Sequence, residues 1–372
     1  MGPWFLSYMV PDRTDSYPRE RRRYQSGVDP ITALGILGTD IILPMLAAQF
    51  EFTLGRGAKC NLRVDRKYLA AIHARIERIP VSSHATIRVT DVSSGKNDIV
   101  HNEVASKEFA IGAGEWFQIG DTRYYALNEE MWLAWPNVME ILGIRHIAAT
   151  TDLLVTAVRE PTRHVLLLGE LGSEQERLGR LIHQVSRRRH NQFHALPELP
   201  ELNGTRRHGL QDACGGTVLV PLYQRGKLHE RIVAMLTNPG ADLRLIICAR
   251  SLDKVDASFP SDLVHDAKKI EISPLRQRKN EIPELLDQWS VADRSPLRFA
   301  TLRGELRDGI LAYGWPENLR ELRALAGILT LLAHCRSLRQ ATKEFQISRG
   351  TLRGWSRKLN TTIKFPLISH SM

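Results

Sequence analysis

The sequence predicts a multidomain chain: an all-β sandwich, then an α/β domain with a helical lid, then a helix-turn-helix. Three observations predict it. Between residues 50 and 127, short runs of alternating apolar and polar residues are separated by turn signals, at 50–54, 74–79, 86–89, 116–119 and 124–127, which is the spacing of a sandwich. From 165 onward the apolar runs are unbroken (165–168, 216–220, 243–247) and alternate with helical segments, the pattern of a buried parallel sheet with crossover helices. After Pro296 the periodicity is helical throughout.

The expected divisions are a flexible leader over 1–35, the sandwich over 36–130, the α/β domain over 131–292, the lid over 293–333, and the helix-turn-helix with its tail over 334–372. The leader is assigned from its Arg, Pro, Asp and Ser content, including Arg19-Glu20-Arg21-Arg22-Arg23, and its lack of periodicity. In the α/β domain, helices are predicted over 138–150 and 175–188, the second following directly on the strand at 165–168.

A length of 372 residues suits two or three cores, and a net charge of +10 suits a polyanionic partner or a merely basic proteome unless the charge proves local. Cys60, Cys214, Cys248 and Cys335 form no C-x-x-C, and no histidine pair stands at ligand spacing, so neither zinc nor a disulfide framework is expected and a reducing compartment fits. The apolar run 31–48 is interrupted by Asp40 and Pro44, which argues against a membrane span. A cytoplasmic protein without membrane contact is expected.

The strand at 165–168 runs into Gly169-Glu170-Leu171-Gly172-Ser173-Glu174-Gln175-Glu176. A phosphate-binding loop reads G-x-x-x-x-G-K-[ST], and here its second glycine is Glu174, its lysine Gln175 and its hydroxyl Glu176. Lysine neutralises the β- and γ-phosphates, whereas carboxylates repel them. Gly169, Gly172 and Gln175 thus outline a degenerate nucleotide site, with no cofactor, no metal and no catalytic residue expected. A pocket that holds nucleotide weakly, as a structural ligand, stays open.

Residues from about 140 to 333 resemble the AAA+ domain of bacterial sigma-54-type enhancer-binding proteins. The landmarks occur in order: the 165–183 strand, loop and helix; Ala213-Cys214-Gly215-Gly216-Thr217-Val218-Leu219-Val220; Asp242-Leu243-Arg244-Leu245-Ile246-Ile247; Pro274-Leu275-Arg276-Gln277-Arg278 with Glu281-Ile282-Pro283; and Gly314-Trp315-Pro316-Glu317-Asn318-Leu319-Arg320-Glu321-Leu322. The departures fall on the chemistry. Pro221-Leu222 stands where the resemblance implies the Walker B acids, Ala249-Arg250 at the sensor, and Pro260 and Asp266 at the arginine fingers. The interval 186–213 is too short for the family's sigma-contacting loop, and no Gly-Ala-Phe-Thr-Gly-Ala occurs. Arg320 matches the family's sensor arginine, and also reads as a helix-start cation paired with a local acid. The resemblance therefore implies an ATPase fold that is not an enzyme.

Residues from about 40 to 130 resemble a forkhead-associated (FHA) domain, which binds phosphothreonine. Gly55-Arg56, Ile72-His73-Ala74-Arg75-Ile76, Asp91-Val92-Ser93-Ser94-Gly95-Lys96-Asn97 and Gly114-Glu115-Trp116-Phe117-Gln118-Ile119-Gly120 carry the likeness. It implies Arg56 on the phosphate and Asn97 on the peptide backbone, with His73 structural; Lys96, near in sequence, is expected to help hold the phosphate. The family's phosphate-binding serine is Ala70 here, and Lys59 and Arg66 lie near enough in sequence to compensate. Arg56 reads equally as a turn residue on a repurposed sandwich.

At the end, 337–345 and 348–359 show two short helical patterns around Gln346-Ile347, with Ser348 a natural N-cap. They resemble the Fis-type helix-turn-helix. Arg336, Arg339, Lys343, Arg349, Arg353, Arg357 and Lys358 stand against Glu344 alone, so the excess charge is local. Arg349 and Thr351 are expected at base edges and Arg353, Arg357 and Lys358, with Arg339, along phosphates. DNA is thus the expected partner of a homo-oligomer, at least a dimer, with a phosphothreonine protein as a second partner. The alternative is a phosphothreonine-dependent adaptor that docks on an active enhancer-binding ATPase or a kinase pathway.

Overall fold

The computed structural model describes residues 30–36, 41–82, 85–95, 97–143, 153, 157, 160–196, 213–224, 228–335, 337–363, 365 and 367. Eleven strands build the first layer pair: β1 (Ala33–Ile36), β2 (Ile42–Pro44), β3 (Glu51–Gly55), β4 (Leu62–Arg63), β5 (Ala74–Ser82), β6 (Ala85–Asp91), β7 (Ile99–His101), β8 (Val104–Ala105), β9 (Glu108–Ile111), β10 (Trp116–Ile119) and β11 (Thr122–Leu127). One sheet runs β2-β1-β11-β10-β7-β8 and the other β4-β3-β5-β6-β9. Alternation sends Phe52, Leu54, Ile76, Ile87, Val89, Phe117 and Ile119 inward, and they fill the space between the sheets.

The leader expected over 1–35 is corrected at its end, because β1 lies within it and pairs with both β2 and β11. Its sequence hides this for a physical reason. Leu34 and Ile36 face the sandwich core while Ala33 belongs to a second core on the other side, so all four strand residues are buried and no alternation shows. Residues 1–29 lie outside the described residues.

That second core forms under helix α1 (Glu129–Leu142). The helix expected at 138–150 starts earlier and stops earlier than predicted. The Asn128 side chain caps it by accepting from the Met131 amide at 2.9 Å, Pro136 sits inside it, and Gly143 at φ 86° ends it; 144–150 lie outside the described residues. Met131, Trp135, Val138 and Leu142 of α1 pack with Tyr125 and Leu127 of the sandwich and with Val165, Leu167 and Leu178 of the next domain, so one continuous core joins the two.

The α/β sheet is wholly parallel, in the order β13 (Phe193–Ala195), β14 (Thr217–Pro221), β15 (Arg244–Ala249), β12 (Val165–Leu168), β16 (Lys268–Glu271). Helices α2 (Gln175–Val185), α3 (Glu230–Leu236), α4 (Leu252–Asp256) and α5 (Ser261–Asp266) lie among these strands in sequence. From β12 the chain crosses to the far edge, and from β15 it passes over β12 to β16. The carboxyl ends of β12 and β15 are therefore the switch point at which such sheets hold ligands.

Helix α6 (Ile282–Ala292), which the expected boundary at 292/293 leaves with the α/β domain, packs through Ile282, Leu285 and Leu286 into the core of the lid helices α7 (Gly304–Ala312) and α8 (Asn318–Ala333), which are followed by α9 (Leu338–Phe345) and α10 (Arg349–Lys358). Leu319, Leu322, Leu325 and Leu329 form the buried stripe of α8, at 3.6-residue spacing. Ala341, Leu352, Trp355 and Leu359 of the last two helices share its core. Among the described residues no helix is long and apolar enough to cross a membrane.

Candidate functional site

At the switch point, the loop after β12 is closed by protein. The Gln175 side chain is buried, and its amide donates to the carbonyls of Leu167 (2.9 Å), Ala249 (2.8 Å) and Gly169 (3.3 Å). A side chain at the lysine position of a phosphate loop is here turned back into the strand ends. Glu176 accepts from the Tyr223 hydroxyl, and Pro221 and Leu222 are buried at the end of β14.

The lid covers the same loop. Gly172, at φ 77°, lies so close to it that a Cβ would overlap the Glu317 carbonyl oxygen, and the Gly172 carbonyl accepts from the Arg320 amide at 3.1 Å. Asn318 donates to the Leu171 carbonyl at 3.0 Å and accepts from the Leu275 amide at 2.7 Å. Arg276 forms a bidentate pair with Glu170 at 2.5 and 2.6 Å, whose hydrogen bonds hold that carboxyl below its usual range. The Arg320 guanidinium pairs with Glu317 at 2.9 Å, the local-acid reading of that residue. Gly169, Gly172, Gln175 and Arg320 are thus brought together. Asn318 and Arg276 are joined to the loop by contacts 147 and 106 residues apart, which no local pattern encodes, although both stand inside the landmark segments.

A second joint lies beside it. Glu140 of α1 accepts from Arg177 of α2 at 2.7 Å and from Arg323 of α8, and the two guanidiniums keep its carboxyl below the usual range against the opposing effect of burial. The buried Arg278 donates to the Ile141 carbonyl at 2.8 Å and the Glu140 carbonyl at 3.2 Å, which satisfies the end of α1 and places a cation at its negative pole.

On the sandwich, Arg56 is exposed between Gly55 and Gly57, both of which press against the 71–72 backbone so closely that a Cβ at either would meet the Ala71 carbonyl oxygen. His73 is fully buried. Its Nδ1 accepts from the Ala70 amide at 3.1 Å and its Nε2 meets the Asn97 carbonyl at 2.9 Å, so one ring ties Ala70 to Asn97, as expected of a structural histidine. Asn97, at φ 58°, donates its side-chain amide to the Tyr68 carbonyl at 2.8 Å. Lys59 and Arg66 are exposed on the β3–β5 connection, and Lys96 lies outside the described residues.

The last two helices are capped by Ser337 and Ser348, the latter accepting from the Thr351 amide at 3.0 Å. Thr351 is exposed, with its hydroxyl engaged to Ser348 at 2.9 Å. Arg339, Lys343, Arg349, Arg353 and Arg357 are exposed, and no hydrogen bond or ion pair joins their side chains to another described residue. Lys358 differs from the expectation. Its ammonium lies 2.5 Å from a carboxyl oxygen of the buried Glu321 and 4.9 Å from the Trp355 ring centre, so it faces the lid. Arg336 lies outside the described residues.

No protein-family model matches the chain. Over 292 residues, 68% of this chain, it is 28% identical to the nitric oxide reductase transcription regulator NorR2 of Cupriavidus necator, of which it covers 52%. Among solved structures, NtrX from Brucella abortus aligns over 51% of this chain and 50% of its own, with 21% identity and a TM-score of 0.39. The FHA domain of CT664 from Chlamydia trachomatis aligns over 26% of this chain and 95% of its own, with 12% identity and a TM-score of 0.22. The chain spans about half the length of the curated relatives it matches.

Proposed function

The chain's homologues being sigma-54-dependent enhancer-binding regulators, we propose that it is a DNA-binding transcriptional regulator whose AAA+-like domain serves as a joint and does not hydrolyse ATP. The observation that carries the DNA assignment is the set of exposed cations on α9 and α10 that have no partner among the described residues: Arg339, Lys343, Arg349, Arg353 and Arg357. Five guanidinium or ammonium groups on two short helices, the second capped by a serine, make a phosphate track, and α10 is the recognition helix. Thr351 stands near its start for base contact. Lys358 serves the protein interior.

The loss of hydrolysis rests on the switch point, where Gln175 fills the place of a phosphate-binding lysine and the end of β14 offers Pro221 and Leu222 in place of carboxylates. Lid closure, which in an ATPase responds to nucleotide, is supplied here by Asn318, Arg276 and the Gly172 contact. The protein acts in the cytoplasm as a dimer or higher oligomer by occupying DNA.

The sandwich is its sensor. Arg56, supported by Lys59 and Arg66 in place of the missing serine hydroxyl, binds a phosphothreonine, while Asn97, expected on the peptide backbone, has its amide on the Tyr68 carbonyl and shapes the neighbouring turn. That exposed cation set also favours the adaptor reading, in which the phosphopeptide contact is the main activity. Fluorescence anisotropy of the full chain with genomic duplex fragments, beside pull-downs with and without phosphatase treatment, separates the two. Nanomolar duplex binding that Arg353→Ala with Arg357→Ala weakens at least tenfold supports the regulator. Phosphatase-sensitive capture without duplex binding would leave only the adaptor.

A further inference from the structure

Behind α10 the chain turns back, and residues 361–363, 365 and 367 lie against that helix and the lid core. The Thr361 amide donates to the Ser356 carbonyl at 3.0 Å and the Ile363 amide to the Ser356 hydroxyl at 3.3 Å, while Ile363 and Leu367 are buried in the lid core. Between helix and tail opens a cleft of about 300 Å³, lined on the helix side by Arg349, Arg353 and Ser356 and on the tail side by Thr362, Ile363 and Phe365. No carboxylate lines it. The two guanidiniums have no partner among the described residues, one hydroxyl comes from the helix (Ser356) and one from the tail (Thr362), and the Ile363 and Phe365 side chains give an apolar wall.

Two guanidiniums, two hydroxyls and an apolar wall lining one cleft match a phosphate carried on a sugar. We propose that this cleft seats one sugar-phosphate unit, the phosphate on Arg349 and Arg353 and the deoxyribose against Ile363 and Phe365, so that the tail is a second wall of the DNA interface. The inference rests on the DNA-binding reading and deepens it. It moves Arg349 from base readout to backbone contact and gives the tail a function that its place after the recognition helix does not by itself suggest. A backbone seat positions the protein without reading sequence. Its loss should therefore weaken all duplexes alike.

The test uses the full chain and a fluorescent duplex selected from genomic fragments, with a scrambled duplex beside it. Thr362→Glu places a carboxylate at the cleft mouth and Phe365→Ala removes the wall, and thermal melts confirm that both fold. The expected result is about a tenfold loss for Thr362→Glu and a smaller loss for Phe365→Ala, equal on both duplexes, and a salt slope for Arg349→Ala lower by about one. Thymidine 5′-monophosphate separates a free nucleotide from the DNA backbone as the source of the phosphate. Displacement of duplex only at millimolar concentration is expected, whereas tight binding that leaves the duplex in place would overturn the proposal. Full affinity in both tail variants, with Arg357→Ala still weakening the complex, would also overturn it while leaving the recognition helix in place. Absence of any duplex binding by the unaltered chain would instead overturn the DNA-binding reading on which the proposal rests.

Discussion

Glu321 and Arg323, two residues apart on α8, tie the lid in opposite directions. Glu321 accepts from Lys358 of α10 at 2.5 Å and from the Tyr313 hydroxyl at 3.0 Å, while Arg323 donates to Glu140 of α1. One helix thus connects the strut beneath the sandwich to the helix that carries the exposed cations Arg349, Arg353 and Arg357. Glu321 is 4% exposed but Lys358 is half exposed, so the ion pair itself is discounted for solvent and the buried hydrogen bonds dominate. Glu321→Ala should cost about 1–3 kcal/mol in urea unfolding. An unchanged midpoint would show that this acid does not hold α10 to the lid.

Gln175 gives a sharper test of the closed loop. Gln175→Leu removes the donor shared by three carbonyls and should destabilise the chain by roughly 1–3 kcal/mol. Gln175→Lys should also destabilise it, because an ammonium would be buried where a neutral amide now sits, and should restore no nucleotide binding. Saturable ATP binding by the lysine variant, seen by calorimetry, would show that the loop retains its old capacity.

His183 makes stability depend on pH. Burial, aided by the nearby Arg244 guanidinium, pushes its pKa down to about 4, and its Nδ1 meets the Thr217 hydroxyl at 3.0 Å. An unfolded histidine titrates near 6.5, so between about 6.5 and 4 the unfolded chain holds the extra proton and stability falls as pH falls. The loss between pH 7 and pH 5 should be roughly 2 kcal/mol from this group. His183→Gln should flatten that part of the profile, and an identical slope in the variant would assign the effect elsewhere.

Gly354 lies inside α10, and a Cβ added to it would meet no atom within 4 Å, so no described residue requires glycine there. Gly354→Ala should stabilise the chain by about 1 kcal/mol, read as a higher melting temperature. A lower one would reveal strain in this helix that its geometry does not show.

The parts of the fold visible in the sequence are those governed by local periodicity. β10 and β12 fall on the expected residues, and Ser348 caps α10 as its place before the second helical pattern predicts. β1 is hidden because both of its faces are buried, β13 because it is a three-residue edge strand, and β16 because its sequence, Lys268-Lys269-Ile270-Glu271, carries a single apolar residue. The start of α1 is obscured by Pro136, which reads as a helix break, whereas the Asn128 cap and the packing of Trp135 carry the helix across it. Lys358 is expected on the DNA because its neighbours are cations. Its partner Glu321 lies 37 residues away, a pairing that no local pattern encodes.

The proposed grip on DNA through α9 and α10, without help from nucleotide, is read by the salt dependence of duplex affinity for the full chain, taken with and without magnesium and ATP. Affinity should fall steeply with salt, and the curves in the two conditions should superimpose. A flat salt profile, or an affinity that changes when ATP is added, would contradict it.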